Sequence, residues 1–288
     1  MNIKPLASII ADSMNTETGN RLTTFQVRTP TVLWAEILTH RAFSRSAASA
    51  RAMPSVTYRN YLADDPFIPW HWGKNCKGMQ SHEPLPEEEI TKAKVVMQRH
   101  LQQSLEAHKE LEALGIHKQI CNRVLAVYAW TDAVITATEW NNFYRLRDHP
   151  AAEPHIRDIA AWMNELYQSN TPAELISGEW HLPYTTEEER KDLEKAKVHS
   201  AARCARASYL RLGEPSTYEQ DLKTSNMLLP KGEPPHASPF EHQALALLQP
   251  MEFGNFTGWM QARKFIPFES GRNNPQPTQP PQPSTKER

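Results

Sequence analysis

Residues 39–51 read "THRAFSRSAASAR", with one histidine, three arginines, three serines and no acid. A guanidinium presents a flat fork of donors that matches a phosphate, and serine hydroxyls complete such a cradle. Arg41, Arg45 and Arg51, with Ser44, Ser46 and Ser49, therefore suit the phosphate of a nucleotide. The plainer reading is a solvated Ser/Arg linker. The stretch is expected to leave a helix C-terminus, where the helix dipole gives an anion no help, so the side chains would have to hold it.

Two further clusters carry chemistry. "EWNNFYRLR" (139–147) sets Asn142, Arg145 and Arg147 beside Trp140, Phe143 and Tyr144. Polar groups next to aromatics suit a planar ring bound near a phosphate. An amphipathic helix with snorkelling arginines gives the same pattern. "HASPFEH" (236–242) places His236, Glu241 and His242 around a Ser-Pro turn. Those three are conceivable metal ligands, but no third histidine stands at ligand spacing, and a structural or organic-ligand role is the commoner one. No glycine-rich phosphate loop and no Gly-x-Ser-x-Gly elbow occurs, so dinucleotide-fold, P-loop and hydrolase readings fail.

These residues need elements to position them. "RLTTFQVRT" (21–29) alternates Leu22, Thr24 and Gln26 against Thr23, Phe25 and Val27 and reads as a strand. Thr29-Pro30 then opens a short helix, "TVLWAEILTHR". The next stretch is expected to run as a loop to Pro54. A long helix is predicted from about Pro86 to Leu114, with Ile90, Met97, Leu101 and Leu105 on its buried face. Helices are also predicted over roughly 117–147 and 152–168. Another opens on a Thr186/Glu189 capping box and continues through "KAKVHSAARCARASYLR", and a short helical piece is expected at "NFTGWMQARKF". Long helices in the middle and short strands near both ends give an α+β class. Residues 1–272 are expected to form a single domain, and the Pro/Gln-rich 273–288 a disordered tail.

Composition limits the function. The 288 residues carry a net charge of −1, which argues against gripping nucleic acid by bulk charge but allows one local anion site. No apolar run approaches the length of a membrane span. The N-terminus lacks the pattern of a secretory signal. Three scattered cysteines fit a reducing, cytoplasmic setting without a disulfide framework or zinc site.

Together the clusters resemble the flavin-dependent thymidylate synthases. That family's signature is Arg-His-Arg, seven residues, then Ser; here Thr39-His40-Arg41, "AFSRSAA" and Ser49 keep the spacing, with Thr39 in place of the first arginine. The segment containing Asn142, Arg147 and Ile156-Arg157 is similar to the family's "Asn-x-x-x-x-Leu-Arg … Glu-Ile-Arg". "AARCARASY" (201–209) resembles its "Ala-Ala-Arg-Val-Ser-Phe" and places Ser208 at the serine, and "HASPFEH" resembles its "His-x-Thr/Ser-Pro-Phe-Glu-His". The last two normally precede the signature; here they follow it, so the order looks circularly permuted. Residues 255–272 resemble a degenerate second signature, with Arg263, Lys264 and Arg272 as extra anion contacts. Ser46-Ala47 and Arg51-Ala52 stand where the family has Asn-Glu and Arg-Tyr.

The resemblance implies a flavin-dependent thymidylate synthase-like fold, long helices packed with a small, mostly antiparallel sheet. It implies FAD, NADPH and methylenetetrahydrofolate, with reductive methylation of dUMP to dTMP. It assigns His40, Arg41, Asn142, Ser208 and His242 to flavin. Ser49, Arg51, Arg123 and Arg147 are assigned to the nucleotide, Arg147 as the catalytic donor and Arg123 across a subunit boundary of a homotetramer. The changed signature residues keep open a relative that methylates or hydroxymethylates another pyrimidine. A non-catalytic nucleic-acid-binding protein is the alternative of another class.

Overall fold

In the computed structural model, which describes residues 6–209, 213–230 and 235–266, the chain opens with a hairpin. β1 (Ala7–Asn15) pairs antiparallel with β2 (Arg21–Pro30), with a bulge between Ile9 and Ala11. β2 is the expected strand, and its alternation is the observed one: Phe25 and Val27 enter one core, Leu22 another. A single 3-10 turn (Thr31–Leu33) leads into α1 (Trp34–Leu38). The serine- and arginine-rich stretch is not a loop throughout. Its middle forms β3 (Ser44–Ala47), which pairs with β4 (Trp130–Ala137).

α2 (Ser55–Asp64) and α3 (Glu87–Ala113) follow. α3 keeps the expected limits and buries Leu101, Leu105 and His108 against a core that includes Tyr58, Leu62, Leu125 and Tyr128. The region expected as one helix over 117–147 is instead α4 (Lys118–Cys121), a 3-10 segment (Asn122–Tyr128), β4 and α5 (Asn141–Arg147). The physical reason is that β4 is buried on both faces. Its run "AVITA" therefore lacks a strand's alternation, while Thr131, Val134, Ile135 and Thr136 carry the β-branched preference.

α6 (Pro154–Ser169) is capped by Glu153, whose carboxylate accepts from His155 and Ile156 N–H. It buries Ile156, Ile159, Ala160 and Met163 against Phe25, Ile135 and Trp140 on the first face of the sheet. β5 (Ala173–Leu175) joins β1 in parallel and completes the order β3-β4-β2-β1-β5, otherwise antiparallel. The class is α+β, as expected.

The second face of that sheet is covered by the last third of the chain. β6 (Trp180–His181) is followed by α7 (Glu187–Arg190) with the expected Thr186/Glu189 capping box, α8 (Leu193–Ala205) and α9 (Tyr218–Leu228). β7 (Ala244–Ala246), β8 (Glu252–Phe253), β9 (Phe256–Thr257) and β10 (Trp259–Gln261) are the last described strands. The piece expected to be helical at 255–265 is thus mostly strand. Gly254 at φ 69° and Gly258 at φ 76° turn the backbone where a helix would have to continue, and only Ala262–Phe265 forms a 3-10 turn. β10-β7-β6 form a small sheet whose Ala244, Ala246 and Trp259, with Phe256, pack on Leu22. Cys204 and Ala207 pack on Val134. Arg272 and the tail 273–288 lie outside the described residues.

Candidate active site

β3 is one edge strand of the main sheet, and two 3-10 turns from the C-terminal third pack against it: Arg206–Tyr209 and Ser238–Glu241. The Ser49 N–H donates to Ser208 O at 3.4 Å. The ring of His242 reaches Ser46 Oγ at 3.0 Å. The three sequence segments that lie far apart in the chain therefore meet at one strand.

Between them opens a cleft of about 760 Å³. Arg45, Arg206, Ser46, Ser208, His236 and Ser238 supply polar groups, while Ala47, Ala205, Met227, Leu228 and Pro239 supply apolar wall. Arg206 is braced from behind. One guanidinium nitrogen donates to Glu214 O and another to Asp221 Oδ1, both at 2.8 Å. Asp221 is fully buried and also accepts from His199, Arg203 and Ser216. A buried carboxylate with this many donors holds its arginines in fixed geometry. Arg203 is committed elsewhere by its fork on Glu189, which draws that carboxyl down to about 2.

Arg45 links the cleft to a second cluster. Its Nη1 donates to the carbonyls of Leu38 and His40 at the end of α1, at 3.0 and 3.2 Å. His40 is buried between Phe43 and Phe143. Arg147 Nε donates to His40 Nε2 at 3.1 Å, and Nη1 pairs with Glu36 at 3.1 Å. A ring nitrogen that accepts from a guanidinium carries no proton, so His40 is neutral with its proton on Nδ1. Burial, with the charges of Arg147 and Arg45, lowers its pKa in the same sense.

The structure thus brings His40 and Arg147 into one cluster, and Ser46, Ser49, Ser208 and His242 into the adjoining one. Arg41 is exposed, and Asn142 is exposed on α5, accepting from Arg145 at 3.1 Å. Arg51 and Arg123 are exposed away from the cleft wall, on segments tied together by Asn122, whose Nδ2 donates to the carbonyls of Ala50 and Met53. His242 is fully buried, with Nδ1 on Thr136 Oγ1 at 2.8 Å and Nε2 on Ser46, so it faces the cleft only through Ser46. Among the described residues no three of His, Cys, Asp and Glu gather as metal ligands.

The 255–265 segment acts as a clamp. Asn255 Nδ2 donates to Ala42 O at 2.8 Å, and Gln261 Nε2 donates to Ser44 Oγ at 2.8 Å. Ser44 is thereby taken out of the phosphate cradle that the sequence suggests. Arg263 pairs with Glu241. Sequence reasoning missed Arg206 and its Asp221 brace. The only local signal was an arginine three residues after Arg203, and its partner lies on the next helix, α9.

Residues 20–173, more than half of the chain, match the thymidylate synthase complementing protein family. The chain belongs to that family. The match holds the signature stretch, β4 and α5, while the segments at 201–209 and 236–242 lie beyond it. No curated protein matches the chain. Among solved structures, the UMP/dUMP methylase PolB from Streptomyces cacaoi bound with 5-Br dUMP aligns at 19% identity and a TM-score of 0.44, over 51% of this chain and 66% of that one. The same methylase bound with 5-Br UMP aligns at 16% identity and a TM-score of 0.45, over 56% and 87%. No described helix is long and apolar enough to cross a membrane.

Proposed function

We propose that this family member is a flavin-dependent methylase of pyrimidine nucleotides, with dUMP the first expected substrate and dTMP its product. The carrying observation is the convergence of β3, the Arg206–Tyr209 turn and the Ser238–Glu241 turn on one cleft. Its volume is in the range of small-molecule sites, and its mixture of fixed guanidinium, hydroxyl and apolar groups suits a ring system carrying phosphate.

The same lining fits a flavin. Ser208 offers a hydroxyl and Arg45 and Arg206 offer charge in that lining, while Arg41 and Asn142 are exposed outside it. FAD, reduced by NADPH, would supply the hydride that converts the methylene carried from methylenetetrahydrofolate into a methyl group. The chain's own residues bind and orient. Arg147, held by Glu36 and His40, presents a guanidinium whose donors stabilise negative charge on the pyrimidine as it develops. Neutral His40 fixes the fork's direction. Ser49, bonded to Ser208 beside the cleft, would hold the nucleotide, Arg51 would have to reach it from outside the cleft wall, and Arg123 would reach the site of a neighbouring subunit in a homotetramer. The exposed Ile120, Val124 and Val127 beside Arg123 give that face apolar area to bury.

A second reading is favoured by one observation. Thr39, where the family has an arginine, folds its hydroxyl back on Glu36 O at 2.6 Å. The donor it replaces is therefore absent from the ligand side, and that change allows a different pyrimidine or a hydroxymethyl product. Flavin absorbance of the purified protein, followed by titration with dUMP, UMP and dCMP, tests the proposal. Tight binding of one nucleotide to a yellow protein is expected, and a colourless protein that binds none would refute it.

A further inference from the structure

Between the main sheet and the C-terminal layer runs an unbroken line of polar side chains. Ser13 Oγ meets His181 Nδ1 at 2.8 Å, and His181 Nε2 meets Thr24 Oγ1 at 2.8 Å. Thr24 Oγ1 meets Thr136 Oγ1 at 2.8 Å. Thr136 Oγ1 meets His242 Nδ1 at 2.8 Å, and His242 Nε2 meets Ser46 Oγ at 3.0 Å. All six residues are buried, and only Ser46 also lines the cleft. Six groups bring one proton each to five bonds, so one proton is left over. A neutral imidazole cannot accept at both nitrogens, which leaves it on Ser46, Ser13, Thr24 or Thr136, and on either threonine it would be buried without an acceptor.

We infer that Ser46 is a hydrogen-bond donor to an anionic oxygen of the ligand in this cleft, held in that sense by a directional relay that starts at Ser13. The inference rests on the nucleotide-binding reading of the cleft and assigns a donor within it. If Ser13 donates to His181 Nδ1, each group passes its proton on: His181 Nε2–H to Thr24, Thr24 to Thr136, Thr136 to His242 Nδ1, and His242 Nε2–H to Ser46. The Ser46 O–H is then left to point into the cleft. In the opposite sense Ser46 would donate inward and the Ser13 O–H would come last. Ser13 Oγ has no bonding partner but His181 among the described residues, so that proton would sit buried without an acceptor. An unsatisfied buried donor is penalised, whereas a hydroxyl that ends at a cleft finds water or ligand. The sense that ends at Ser46 therefore wins.

Both histidines must be neutral for the relay to keep a direction, and burial holds each far below the usual imidazole range, at about 3. Ser46 stands where the family carries the Asn of its Asn-Glu pair. The beneficiary is a phosphate or another anionic oxygen, because Arg45, Arg206 and Ser208 bring donors to the same cleft.

Long-range proton–nitrogen correlation spectra of the ¹⁵N-labelled protein read each tautomer directly. Both His181 and His242 are expected as neutral Nε2–H forms, and Ser13→Ala is expected to populate both tautomers while Ser13→Thr restores one. An Nδ1–H form at either histidine in the wild type, or tautomers indifferent to Ser13→Ala, overturns the relay. In parallel, Ser46→Ala should weaken binding of dUMP or FAD, whichever the wild type binds, by about tenfold. Wild-type binding with an unchanged Ser46→Ala affinity overturns the donor assignment and leaves the nucleotide reading standing. A wild type that binds neither overturns the nucleotide reading and the ligand half of this inference, while the tautomers still decide the relay.

Discussion

In the proposed reading, Arg147 is a single side chain prepared for a ligand. Glu36 and His40 fix two edges of its guanidinium, so little freedom remains to be lost when an anion arrives. Arg147→Ala should keep the fold and weaken dUMP binding by about ten- to hundredfold, the cost of one charged hydrogen bond. Unchanged affinity in a calorimetric titration would remove Arg147 from the site. The local clusters were legible in the sequence because their spacing is local: His40 and Arg41 precede β3 and Ser49 closely follows it. Burial was not. Nothing near His242 in the chain announces that Thr136 and Ser46 will take both its nitrogens.

Elements carry the pH response. His181 and His242 are buried neutral, each lowered from 6.5 to about 3 in the fold. Between those values the unfolded chain binds more protons than the native one, so stability is full above pH 6.5 and falls as pH drops toward 3. The slope is about 1.4 kcal/mol per pH unit for each histidine in that range. Denaturant midpoints measured on lowering the pH from about 7 to about 4 should decline, and a flat profile would mean that these rings are solvated. The turn before β10 is a second element-scale test. Gly258 has φ 76°, and an added Cβ would lie 2.6 Å from Asn20 Oδ1 and 2.7 Å from Thr18 Oγ1. Gly258→Ala should cost about 1–3 kcal/mol, read as a lowered thermal midpoint; an unchanged midpoint would mean that the turn relaxes freely. β4 teaches why some elements are hard to read. A strand covered on both faces loses the alternation by which strands are recognised, and only its β-branched residues remain as a signal.

At the scale of the whole molecule, the family-matched region and the C-terminal third are two halves of one core. Leu22, Thr24, Val134 and Thr136 face a layer built from residues 180–261. That partnership was invisible in the sequence except through the resemblance of two late segments to ones that ordinarily come early. A chain split between Leu175 and Ile176 should therefore give a first fragment that is insoluble alone and is rescued by co-expression with the second. A soluble, folded first fragment would show that the second face needs no cover.

The central claim is chemical, and product analysis tests it most directly. Purified protein supplied with FAD, NADPH, methylenetetrahydrofolate and one of dUMP, UMP or dCMP should yield a nucleotide heavier by one methyl group, located on carbon 5 by fragmentation mass spectrometry. Loss of that product in Arg206→Ala would tie the chemistry to this cleft, and its loss in Arg147→Ala to the adjoining His40 cluster. A flavin-loaded protein that leaves all three nucleotides unchanged would contradict the account.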